Sequence, residues 1–170
     1  MAMETFVRSV DEKISGFAIC AAGDLSSVFI SILTEESLER QLGKQPNLRR
    51  SYIAMNPAEW EYYGFEIDLF SEASSGLDEQ LLTMDAISDF FISEIDRLKA
   101  KFQALSDPLT LKGMYFHDPA PNSPHELLRL NISSAVNSPE VHEAVTTDFA
   151  NMQECRRRGT LGYAWRVPPD

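Results

Sequence analysis

Phe17-Ala-Ile-Cys-Ala-Ala-Gly-Asp-Leu-Ser-Ser-Val-Phe-Ile-Ser-Ile-Leu-Thr-Glu-Glu-Ser-Leu38 decides the fold. Two runs rich in β-branched and aromatic residues, Phe17 to Ala21 and Leu25 to Leu33, flank Ala22-Gly23-Asp24, a turn sequence. That pattern predicts a β-hairpin. Thr34 then offers a hydroxyl for a helix N-cap, and Glu35 and Glu36 place negative charge in the first turn, where the helix dipole favours it. The helix should end near Gly43. Strand, strand and helix within some thirty residues point to an α+β fold.

Upstream, the spacing of Phe6, Val7 and Val10 predicts a helix from Ala2 to about Lys13, with Gly16 ending that region. Downstream, Arg49 to Met55 reads as a third strand. In Asn56-Pro57-Ala58-Glu59-Trp60, Asn caps, Pro takes the first helical position and Glu59 completes a capping box, with Trp60 expected to be mostly buried. A shorter or irregular helix is expected from Glu66 to Ala73, and Ser74-Ser75-Gly76 breaks the chain. Thr83 caps the strongest helix, in which Ile87, Phe91, Ile95, Leu98, Phe102 and Leu105 recur at spacings of three and four. Ser106-Asp107-Pro108 should end it.

A strand is expected from Leu111 to Phe116, a Pro-rich loop from Asp118 to Pro124 and a further strand from Leu127 to Ser133. Ser138 and Pro139 open a last helix with Val141, Val145, Phe149 and Met152 facing inward. Arg156, Arg157 and Arg158 crowd its C-terminus before Gly159, the stop. Leu161 to Val167 would close the sheet. With no repeat and no linker, the expectation is a single domain over residues 1–170, a small mainly antiparallel sheet packed against several helices.

Composition narrows the function. The 170 residues are 44% hydrophobic and 24% charged, a balance that folds. Lys and Arg number 15 against 26 Asp and Glu, a net charge of -11. Nonspecific nucleic-acid binding needs cations to displace phosphate counterions, and adhesion to anionic lipid needs them too, so neither partner is expected. No export signal is visible, and the most apolar stretch, Phe17 to Leu33, is too polar to span a bilayer. Cys20 and Cys155 cannot make a disulfide framework, so free thiols in a reducing cytoplasm are expected.

The charge is concentrated. Between Ser51 and Asp96 there is no Lys, Arg or His, yet the stretch holds Glu59, Glu61, Glu66, Asp68, Glu72, Asp78, Glu79, Asp85, Asp89, Glu94 and Asp96. Elsewhere 15 acids face 15 bases. One reading is a solvated acidic face, partly paired across the fold with Arg49, Arg50 or Arg156 to Arg158. The other is a docking surface for a basic protein, with Tyr62 and Tyr63 among the aromatic anchors. On it the partner-binding candidates are Glu59, Glu61, Tyr62, Tyr63, Glu66, Asp68, Glu72, Asp78, Glu79, Asp85 and Asp89.

Catalytic signals are weak. His117-Asp118, His125-Glu126 and His142-Glu143 are isolated pairs without metal-ligand spacing, and the single glycines form no phosphate-cradling loop. No nucleophile elbow occurs. Paired carboxylates are abundant and therefore nonspecific. No catalytic, cofactor or metal residue is assigned; the residues leave open a cytosolic protein-binding adaptor or a hydrolase using carboxylates in a cleft.

An N-terminal helix, the hairpin FAICAAGDLSSVFISILTEESL and the element NPAEWEYYGFE together resemble the bacterial proteins of domain of unknown function family 4303, over about residues 3–72. Met55-Asn56 departs from the aromatic or basic residue usual ahead of Pro-Ala-Glu-Trp. Small acidic proteins of this kind look like immunity proteins, encoded beside secreted antibacterial toxins. The resemblance implies a protein that neutralises a toxin; many such toxins are nucleases, whose basic active-site surface an acidic protein can occlude.

Overall fold

A computed structural model describes residues 3–21, 28–65, 83–116 and 124–159. In chain order these form α1 (Met3–Ser9), β1 (Ile14–Ala21), β2 (Val28–Thr34), α2 (Glu35–Lys44), α3 (Arg50–Met55), a 3-10 turn (Pro57–Glu59) and β3 (Tyr62–Phe65). There follow α4 (Met84–Lys101), a second 3-10 turn (Gln103–Leu105), β4 (Leu111–Phe116), α5 (Pro124–Val136) and α6 (Pro139–Arg157). The expected turn at 22–24, helix at 66–73, break at 74–76, most of the Pro-rich loop and closing strand at 161–167 lie outside the described residues.

The four strands lie in the order β3-β2-β1-β4. β1 and β2 are antiparallel, with Phe17 opposite Ile32 and Ile19 opposite Ile30. β3 is antiparallel to β2, and β4 runs parallel to β1, so the sheet is mainly antiparallel as expected. Side chains alternate between faces. Phe17, Ile19, Ile30, Ile32 and Met114 meet Phe6 of α1, Ile87, Phe91, Ile95 and Leu98 of α4, and Leu128, Ile132 and Val136 of α5. Ala18, Cys20 and Leu33 face the other way, onto Leu38 of α2, Ile53 of α3 and Trp60. Helices therefore cover both faces of β1, and this explains why its sequence is continuously apolar instead of alternating.

Gly16 does not end the first region; it lies inside β1, buried beneath Trp60. A Cβ there would sit 3.2 Å from the Trp60 ring and 3.4 Å from Leu33 Cβ. Trp60 cannot readily yield, because its indole Nε1 donates to the Ile53 carbonyl at 2.9 Å. Gly16→Val should thus overpack the site and cost about 1–3 kcal/mol, read as a lower urea midpoint at unchanged slope.

Several other elements depart from the sequence reading. Arg49 to Met55 is helical in its last six residues, not a strand. Only Ile53 is fully buried there, and β3 already holds the place beside β2. Leu127 to Ser133 belongs to α5: Leu128, Ile132 and Val136 are buried at helical spacing while Leu127 is exposed. Asn56 makes no side-chain cap, and a single 3-10 turn replaces the expected helix. Its amide instead donates to the Tyr52 hydroxyl, which donates to Glu59, both at 3.0 Å. The first helix stops at Ser9, and β1 starts three residues earlier than read.

Thr83 and Ser138 cap their helices as expected, accepting from the Ala86 and Val141 N–H groups. The α4 stripe is buried throughout, though its last members, Phe102 and Leu105, lie beyond the helix end at Lys101. Past α5, the Asn137 side chain mimics a strand against β4. It accepts from the Lys112 N–H at 2.8 Å and donates to the Lys112 carbonyl at 2.7 Å, satisfying backbone groups on the sheet edge. Among the described residues, no helix is long and apolar enough to cross a membrane.

Candidate functional site

The acidic stretch is split by the fold. Glu59 ends the first 3-10 turn, Glu61 stands just before β3 and Tyr62 and Tyr63 open that strand, whereas Asp85 and Asp89 stand on the first turns of α4. Glu66, Asp68, Glu72, Asp78 and Glu79 lie outside the described residues. Tyr63 is 55% exposed and meets Phe29 edge-on, on the Trp60 side of the sheet. α4 covers the opposite side.

Partners are equally divided. Glu61 accepts from Arg40 at 2.9 Å and lies 3.9 Å from Lys44, Glu59 accepts from Tyr52, Glu94 pairs with Arg97, and Asp96 pairs with Lys99 at 2.8 Å. Asp85 and Asp89 are exposed, with no cation at ion-pair distance among the described residues. Four of the five arginines considered as partners serve other acids: Arg50 binds Glu39, Arg156 binds Glu126, and Arg157 and Arg158 bind Glu154.

The densest polar cluster centres on Glu12, between α1 and β1, a residue sequence reasoning did not single out. Its carboxylate accepts from Arg40 at 2.7 and 3.2 Å, from the Thr34 hydroxyl at 2.5 Å and from the Tyr62 hydroxyl at 3.1 Å. Arg40 also donates to the Tyr62 hydroxyl at 2.9 Å. Thr34 in turn accepts from the Ser37 N–H, and the Ser37 hydroxyl accepts from the Thr34 N–H, so Ser37 completes the α2 capping box. One carboxylate therefore ties the α1–β1 connection to α2 and β3.

The Arg40 hydrogen bonds hold the Glu12 carboxyl below the usual glutamate value of 4.5, against an opposing push from burial. A folded value below the unfolded one makes this contribution complete above about pH 4.5 and lost as pH falls through the folded value. Arg40→Ala should flatten that acid limb, because Glu12 then ionises more nearly as it does in the unfolded chain. Thermal midpoints between pH 3 and 7 test this; parallel curves for the two proteins would contradict it.

An open groove of about 380 Å³ lies beside this cluster, lined by Val7, Val10, Glu12, Lys13, Ile14, Gln103, Ala104 and Asp107. Its ionic groups already have partners: Lys13 donates to Glu35 at 2.7 Å, and Asp107 accepts from the Leu109 N–H at 2.8 Å. A carboxylate held ionised by a bidentate arginine is a poor general acid.

The Ser133 hydroxyl lies 3.2 Å from His142 Nδ1, the spacing of a nucleophile and its base. Ser133 is only 1% exposed, and the adjoining crevice of about 20 Å³ has room for a single water. The pair joins α5 to α6 and is closed to substrate. His117 and the His125 side chain lie outside what is described. Among the described residues no three acids, cysteines or histidines could hold a metal ion. Cys20 is buried, its thiol pushed up to about 12 by that burial, and Cys155 is half-buried; the two are not joined in a disulfide.

The family model described as Domain of unknown function (DUF4303) matches residues 2–115, from α1 through most of β4. No curated protein matches, and no solved structure does.

Proposed function

Since the chain belongs to the family of domain of unknown function 4303, a grouping that carries no activity in its description, we propose a role from the protein's surface: it is an immunity protein that binds and neutralises a basic toxin domain in the cytoplasm. Asp85 and Asp89 carry this reading. They stand one turn apart on α4, exposed and, among the described residues, without a cation at ion-pair distance, while the other described acids of the stretch have partners. Like charges four apart on a helix cost a few tenths of a kcal/mol. Asp85 recovers some of that from the helix dipole; Asp89 lies beyond the first turn, where the gain has faded. A repulsive pair held at the surface suits a positively charged partner, whose complementary field speeds encounter. Tyr63, exposed on β3, lies on the Trp60 side of the sheet, away from α4, so it supplies no anchor to a partner seated over Asp85 and Asp89.

The fold refines the proposal. Glu61 already has Arg40 and Lys44, so it contributes less to a partner than Asp85 and Asp89 do. Occlusion of a toxin's basic cleft is therefore assigned to the α4 surface first.

Two measurements test this. Co-expression with the adjacent reading frame should rescue cells from a lethal product, and an inert neighbour would remove the toxin from the proposal. With the partner isolated, Asp85→Lys combined with Asp89→Lys should slow association several-fold and flatten its salt dependence. Unchanged kinetics would reject the role of α4.

A further inference from the structure

We draw no further inference here: the strongest candidate, the open groove of about 380 Å³ between α1, the start of β1 and residues 103–107, has its rim charges engaged within the fold, Glu12 by Arg40 and Lys13 by Glu35, and nothing in the structure shows what covers it.

Discussion

A chain ending at Phe116 is expected to lose cooperative folding, although it retains the whole region that the family model matches. The cut removes α5, and with it Leu128, Ile132 and Val136, which are 2%, 0% and 6% exposed in the main core. Burying an aliphatic side chain of this size is worth about 1.5–3 kcal/mol. Three of them amount to roughly 5–9 kcal/mol, comparable with the whole stability of a typical domain at about 5–15 kcal/mol. Other ties go as well. Asn137 no longer satisfies the Lys112 backbone, and Arg129 no longer reaches the Met55 carbonyl at 2.9 Å. The truncated protein should melt without a sharp transition, bind a hydrophobic dye and show collapsed amide dispersion in NMR spectra. A melt as steep as that of the full chain, within a few degrees of its midpoint, would show that the matched region folds alone.

How far the sequence told this depends on whether a signal was local. The antiparallel pairing of β1 and β2, the Thr34, Thr83 and Ser138 caps and the burial of the α4 stripe all arise from neighbours within a few residues, and these are what periodicity and capping chemistry found. The misreadings come from short apolar runs. Leu127-Leu128-Arg129-Leu130 looks like a strand when counted as a run, yet Leu128, Ile132 and Val136 are buried while Leu130 and Ser134, which a strand would put on the same face, are not. Over Arg49 to Met55 the helical period falls short of two cycles, so packing above Trp60 decided the matter. The polar hub was invisible for a different reason. Glu12 and Arg40 are 28 residues apart, and no spacing rule links a carboxylate before one strand to a guanidinium on the helix after the next. The acidic stretch was plain in composition, but which acids are spent internally depended on Arg40, Lys44, Arg97 and Lys99 finding them in space.

Phe91→Ala should lower stability by about 3–5 kcal/mol, among the larger costs that one core truncation can have. Phe91 is fully buried at the middle of α4, among Phe17, Ile19 and Ile32 of the sheet layer, and its ring meets Phe90 edge-on at 5.4 Å. The sheet below cannot collapse into the vacated space, because its other face is held by Trp60 and α3. For a chain of this length the loss corresponds to a fall of roughly 6–20 °C in Tm, at about 2–4 °C per kcal/mol. Asp89→Ala, on the exposed side of the same helix, should stay within about 0.5 kcal/mol of the parent. The comparison also separates folding from recognition. Phe91 faces inward, so below its melting point the Phe91→Ala protein should bind a basic partner nearly as well as the parent, whereas the Asp89 variant should bind more slowly while melting unchanged. A Phe91→Ala protein within about 1 kcal/mol of the parent would mean that α4 is not seated on the sheet as described. The position of its carboxylates would then lose its support.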